Sequence, residues 1–407
     1  MPEPHAPAVT VYAALPVMDE EAVIDASLAS IAAQTYAHVK LYACVNQPDN
    51  WWHLPEKRSV CEANARVLNK LNNFGAITID RTSSGQGWQH KDAGVGMARK
   101  TTMDAINNMA LPQDIIISLD ADTVFDSDYF ASVVALFAEH PTHMGLANPY
   151  YHKITSDETL NRAILRYEIY MRCYIINLMR IGSPYAFTAL GSALAVPVWA
   201  YRKIGGITPK KSGEDFYFLQ KLRKTGPLLT WNKQCVYPSS RYSDRVFFGT
   251  GPALIKGSKG DWSSYPIYHH SLFGYIENTY KLFPRLFSED VPTPLDDFLE
   301  SQFGTKNIWQ TLRNNTASES SFVAACHQKL DGLRLLQYLK WKQTHLNRCD
   351  EDALTHLLNM LNYQPMVRHP EALCLETSPI ADINHIRDFL FENENEMRYK
   401  LFWRKES

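Results

Sequence analysis

The chain of 407 residues has only seven cysteines and no C-x-x-C pair. Cys44, Cys61, Cys173, Cys235, Cys326, Cys349 and Cys374 are scattered and odd in number. That pattern argues against a zinc module or a disulfide framework and for free thiols in a reducing compartment. Long apolar runs are also missing. No stretch approaches the roughly 20 apolar residues of a membrane span, and the best candidate, residues 187–200, is broken by Gly191 and Pro197. The opening Met-Pro-Glu-Pro-His-Ala-Pro has neither the basic nor the apolar region of a signal peptide. Positive charge is not in excess: the formal net charge is −2, so no global field favours nucleic acid or an anionic membrane. The expectation is a cytoplasmic protein with no nucleic-acid partner and no transmembrane segment, whose membrane contact would be peripheral, at the inner face.

What is present is ordinary in amount and informative in order. Apolar content of 45% and charged content of 21% fit a globular protein, and the length allows two or three domains. Residues 9–15 read as a buried strand stopped by Pro16, with Asp19-Glu20-Glu21 leading a helix. A second strand at 39–45, a helix over 56–71 and a third strand at 76–79 follow. After the Gly-rich loop Ser83–Trp88, Ala93–Lys100 opens another helix. Strand–helix alternation of this kind predicts βαβ units and a parallel sheet.

The fourth strand is the apolar run Ile115–Leu119, which ends in Asp120-Ala-Asp122. Carboxylates just past a parallel strand lie in the crevice where open α/β sheets bind ligands. Two hard oxygen donors at this spacing can hold a divalent metal, and through it a diphosphate. The next pair, Asp126-Ser-Asp128, precedes a helical pattern and is better read as capping acids. Further on, residues 160–178 form an amphipathic helix with Arg162, Arg166 and Arg172 at polar positions. A strand with a Gly-Ser break covers 187–196, and a helix opens at Gly213-Glu214-Asp215. From about Leu295 the patterns are helical. The boundary is placed near residue 255, giving domains 1–255 and 256–407.

The order of these elements, the Asp120-Ala-Asp122 motif and the later Glu214-Asp215 resemble the GT-A glycosyltransferases, family 2 in particular, over roughly residues 8–250. The resemblance implies a Rossmann-like, mostly parallel sheet flanked by helices, followed here by a helical C-terminal region. It implies that Pro16 and Glu20 border the nucleotide, and that Asp49 or Asn46 touches base or ribose. It further implies that Arg99, in Ala98-Arg99-Lys100, approaches the nucleotide. Asp122 would be the direct ligand of Mn2+ or Mg2+, with Asp120 nearer the ribose or a metal-bound water. Asp215 would be the general base, positioned by Glu214, and His270 in His269-His270 a further metal ligand. Arg241 and Arg245 carry forks suited to a diphosphate or an anionic acceptor; an ordinary solvated loop is the other reading. Trp51, Trp52 and Trp88 either stack on base or sugar or pack internally.

The expected activity is metal-dependent, inverting transfer of a sugar from a nucleoside-diphosphate sugar to a hydroxyl. The acceptor would be a glycan, a lipid-linked molecule or a small molecule, of a cell-envelope or secreted glycan. The family's polymerising members carry Q-x-x-R-W soon after the base. Here Gln337-Tyr-Leu-Lys-Trp341 has Lys for Arg and lies far downstream on an apolar helical stripe, which favours core packing. Two alternatives stand beside this reading. A nucleotidyltransferase would carry a Gly-rich phosphate loop where Pro16-Val-Met-Asp-Glu20 stands. An inactive GT-A scaffold would have no need of both acid pairs.

Overall fold

The computed structural model describes residues 8–243, 249–344, 346, 349–364 and 373–403. The chain forms two compact units: Met1–Ile164 with Thr188–Asp261 and Phe402–Ser407, and Leu165–Phe187 with Trp262–Leu401.

The first unit is built on a sheet whose parallel core is β1 (Val11–Val17), β2 (Val39–Asn46), β3 (Ile77–Arg81) and β4 (Ile115–Ser118). Helices α1 (Ile24–Ala32), α2 (Arg58–Phe74) and α3 (Val95–Met109) make the crossovers. β1 is buried along its whole length, as are all four residues of β4. Each fully buried Ile of β4 is worth about 1.5–3 kcal/mol, which is why this run has no polar alternation. β5 (Thr123–Phe125) and α4 (Tyr129–Glu139) follow, then β6 (Leu146–Ala147) and α5 (Glu158–Arg180). After them come β7 (Leu194–Pro197), α6 (Val198–Lys203), α7 (Glu214–Thr225), β8 (Val236–Pro238) and α8 (Thr250–Gly257). The sheet order is β3-β2-β1-β4-β7-β6, with β7 antiparallel to β4 and β6 antiparallel to β7. β5 and β8 form a separate antiparallel pair. Because β1 has β2 on one side and β4 on the other, the winding direction changes there, and ligand crevices form outside the carboxyl ends of such strands.

Pro16 does not stop the first strand, which continues to Val17. Along β1 the even-numbered residues face β4: Thr10 and Ala14 carbonyls accept from Ile115 and Leu119 N–H at 3.0 Å each. Pro16 is the next residue facing that side, and its missing N–H leaves the Leu119 carbonyl to Arg99 Nη1 at 3.4 Å; the pairing with β4 ends there while that with β2 runs on to Val17. The predicted strand at 187–196 shrinks to Leu194–Pro197. Asp128 takes the first position before α4, but its carboxylate makes no capping bond and accepts the Thr35 hydroxyl at 2.9 Å instead.

The second unit contains the later part of α5 with α9 (His270–Leu286), α10 (Asp296–Phe303), α11 (Ile308–Asn314), α12 (Glu319–Lys329), α13 (Gly332–Gln343), α14 (Asp350–Met360) and α15 (Ile380–Trp403). Arg166 and Arg172, predicted at polar positions of an amphipathic helix, are buried. Arg166 pairs with Asp350, while Arg172 pairs with Glu168 at 3.1 Å and Glu394 at 2.8 Å. Arg387 closes on Glu168 and Arg398 on Glu394, so α15 is fastened to α5 by buried ion pairs. Their carboxylate partners come from distant sequence, beyond the reach of a local pattern. Within Gln337–Trp341, Tyr338 and Leu339 on α13 are buried and Tyr338 packs on the Phe298 ring, whereas Lys340 and Trp341 are exposed, so only the middle of the stretch is core packing.

Candidate active site

β4 ends in a turn that presents two carboxylates at the switch point. Leu119 N–H still continues the ladder to β1, and the Asp120 carbonyl then accepts from Thr123 N–H at 3.1 Å. Ala121 is buried in this turn. The side chains on either side of it stay accessible, Asp120 by 35% and Asp122 by 18%.

Behind Asp120 lies Arg99, on α3 and only 2% exposed. Its Nη2 donates to Asp120 Oδ1 at 2.8 Å and its Nε to Glu214 Oε1 at 3.1 Å. Its Nη1 donates to the Gly191 carbonyl at 3.0 Å and to the Ser118 hydroxyl. A buried guanidinium is tolerable only when partnered this fully. One side chain thus ties the end of β4 to the start of α7. Two glycines make the arrangement sterically feasible. A Cβ on Gly191 would lie 2.3 Å from Arg99 Nη2, and one on Gly96 would lie 2.0 Å from the Lys210 carbonyl. The first lets backbone approach the guanidinium, which is where the predicted strand breaks. The second lets the segment leading to α7 sit directly on the first turn of α3.

Glu214 and Asp215 are the first two residues of α7. Asp215 accepts the Phe216 N–H at 2.7 Å. Burial, and then the charge of Glu214, push the Asp215 carboxyl up to about 7; Arg99 and the Phe216 N–H pull it down without offsetting them. A carboxyl poised there can accept a proton near neutral pH.

Asp122 has a different partner. The Ser239 N–H donates to its carbonyl at 3.1 Å, extending the β5–β8 pair by one rung. Two residues later Arg241 turns its fork back onto the motif. Its Nε and Nη2 reach Asp122 Oδ2 at 2.8 and 2.7 Å, and Nη2 reaches Glu20 Oε2 at 2.6 Å. Glu20 stands just past β1, so strand ends far apart in sequence meet through one guanidinium.

The structure brings Asp120, Glu214 and Arg99 together, with Asp215 beside them, and Asp122, Glu20 and Arg241 together. Other predicted residues serve neighbouring loops. The Asp49 carboxylate accepts N–H groups of Gly85 and Gly87 at 2.8 and 3.2 Å, pinning the Gly-rich loop. Asn46 donates to the Val17 carbonyl at 3.0 Å and accepts from Gly94 N–H at 3.1 Å, joining β1 to the start of α3. Trp52 donates to the Thr82 carbonyl at 2.7 Å, while Lys57 lies over the Trp51 ring and Arg81 over the Trp88 ring. His270 belongs to the second unit, where its ring stands 4.2 Å from that of His269 and 5.2 Å from that of His356. Arg245 lies outside the described residues. Ser118 and Gly191 were not foreseen as part of the site; the Gly-Ser break in an apolar run was the only signal at the second.

A family model described as glycosyltransferase-like family 2 matches residues 7–226. The match takes in more than half of the chain and both acid pairs. The chain belongs to this family. It is a glycosyltransferase, and its mostly parallel sheet flanked by helices is the GT-A fold of the family. Arg241 lies beyond the residues that the family model matches. No curated protein matches the chain. Similar solved structures include S. aureus TarS 1-349 in complex with UDP-GlcNAc, at 11% identity, covering 98% of this chain and 93% of that one with a TM-score of 0.40. The same TarS segment in complex with UDP is 10% identical, covering 84% and 93%, with a TM-score of 0.41. No helix among the described residues is long and apolar enough to cross a membrane.

Proposed function

We propose that this family 2 enzyme transfers a sugar from a nucleoside-diphosphate sugar to an acceptor hydroxyl with inversion at the anomeric carbon. The observation that carries the reading is the pairing of a solvent-accessible Asp120/Asp122 turn with Asp215, a carboxyl raised to about 7. The nucleotide is placed along the carboxyl ends of β1 and β2, beside Pro16, Glu20 and Asp49, with Arg99 acting from behind Asp120. Asp215 removes the acceptor's proton as the hydroxyl attacks, and Glu214, held by Arg99, keeps the acid pair in position. A base placed opposite the leaving group gives inversion.

Mn2+ or Mg2+ fits the donor chemistry of Asp120 and Asp122. Among the described residues no set of three His, Cys, Asp or Glu could hold an ion. A divalent ion at the two acids would therefore complete its shell with diphosphate oxygens and water, as Mg2+ does in nucleotide sites. Bound there, it would neutralise the charge that builds on the departing diphosphate. The acceptor hydroxyl is assigned to a glycan, lipid-linked or small-molecule substrate of cell-envelope or secreted glycan synthesis, and the reaction to the cytoplasmic side.

The test is a thermal-shift panel of nucleoside diphosphates and their sugars, with and without Mn2+. At least one nucleotide is expected to raise the melting temperature, more so with Mn2+, and Asp122→Asn should abolish the Mn2+-dependent part. No response to any nucleotide would overturn the assignment.

A further inference from the structure

We propose that Arg241 is an exchangeable counter-ion: it holds Asp122 while the donor is absent, cedes that carboxylate to a divalent cation, and turns its freed fork onto the donor's diphosphate. The inference rests on the nucleotide-and-metal reading above and adds a residue and an order of events to it.

The two arginines of the site are built differently. Arg99 is 2% exposed and is gripped by acceptors from β4, the Gly191 backbone and α7. Releasing it would strand a buried charge, so it is a permanent part of the frame. Arg241 is 25% exposed, and both nitrogens that reach Asp122 converge on the same atom, Oδ2. Its Nη1 makes no hydrogen bond to the described residues and keeps its N–H groups available for another acceptor. The fork thus holds the motif with two of its three nitrogens, from a place that solvent partly reaches.

The exchange follows from competition for one oxygen. A divalent cation ligated by Asp122 Oδ2 would put two positive groups on the same atom, a few ångströms apart, where like charges repel strongly in a partly buried setting. The singly charged guanidinium is the one that can leave, because its side chain is long and only its tip is engaged. A diphosphate gives it somewhere to go, since a planar fork suits phosphate oxygens. Glu20, on the far side of Nη2, keeps the guanidinium near the crevice during the move. Nucleotide and metal then help each other: the metal frees the fork for the diphosphate, the diphosphate draws the fork off the carboxylate that would hold the metal, and such coupling is reciprocal.

The experiment measures binding on the full chain. Mn2+ alone is titrated by electron paramagnetic resonance into the parent, Arg241→Gln and Arg241→Lys. The nucleoside diphosphate that raises the parent's melting temperature most in the thermal-shift panel is then titrated by calorimetry at saturating Mn2+. Arg241→Gln is expected to bind Mn2+ alone about 5–10-fold more tightly than the parent, because one cation that competes for Asp122 Oδ2 is gone. It is expected to bind the preferred nucleotide about 10-fold or more weakly, the usual cost of a lost charged hydrogen bond. Arg241→Lys keeps the charge and loses the fork, so its Mn2+ affinity should stay near the parent's while nucleotide affinity falls. If Arg241→Gln binds Mn2+ no more tightly than the parent, or binds nucleotide equally well, the exchange is refuted. If the parent binds no nucleoside diphosphate of the thermal-shift panel, the donor reading fails and takes this inference with it; nucleotide binding by the parent with unchanged variants refutes the exchange alone.

Discussion

Replacing Asp215 by Asn should make the protein more stable at alkaline pH and leave it unchanged in acid. The carboxyl's ordinary value is 3.8, and in the fold it is pushed up to about 7. Between these values the folded chain holds a proton that the unfolded chain has released. The contribution is therefore fully present below pH 3.8 and is lost as pH rises through about 7. Every tenfold gain in proton affinity on folding is worth about 1.4 kcal/mol, which sets an upper bound of about 4 kcal/mol on the cost of ionising Asp215 at about pH 8. Part of the residue is open to solvent, and screening reduces the figure to about 2–3 kcal/mol. Asn cannot ionise and escapes this cost. Urea denaturation of parent and Asp215→Asn between pH 3 and 8 should give curves that meet below about pH 4, diverge up to about pH 7 and run parallel above it, with the variant the more stable. A constant offset at every pH, or a variant less stable at pH 8, would refute the claim that burial and Glu214 hold this carboxyl high.

Two further substitutions probe the frame. Gly191→Ala would drive a methyl group into Arg99 and should cost about 3 kcal/mol, the scale of a disrupted buried ion pair, together with Mn2+-dependent nucleotide binding; denaturation and calorimetry read the two effects. Arg387→Met leaves the fully buried Glu168 with Arg172 but without its second guanidinium and should cost about 3 kcal/mol. Adding Glu168→Gln should recover part of that loss, whereas no recovery would mean that packing around Arg387, not charge, sets the cost.

The alternation of apolar runs with helical patterns was enough to place β1 to β4 and their crossovers, because buried parallel strands leave unbroken apolar signatures. It also placed Asp120 and Asp122 at a strand end and Glu214 and Asp215 at a helix start, both consequences of local sequence. The partners of those acids could not be read the same way. Arg99 and Asp120 are separated by one crossover, Arg99 and Glu214 by more than a hundred residues, and only the folded sheet brings them together. Arg241 reaches Asp122 because β8 pairs with β5, three-residue strands too short to announce themselves. Pro16 ends the pairing on one side only: β1 stops pairing with β4 there but runs on beside β2 to Val17, and which neighbour meets which edge is a property of the sheet.

Inverting transfer with Asp215 as the base can be read from the rate of sugar transfer against pH in parent and Asp215→Asn, with the product's anomeric configuration read by NMR. Slow hydrolysis of the bound nucleotide sugar provides the signal until an acceptor is in hand. The parent's rate should rise with pH to a plateau through about 7, the variant should be slower by roughly 10²–10⁴-fold at the plateau, and the product should be inverted. A variant as fast as the parent, or a product that retains the donor's configuration, would contradict the account.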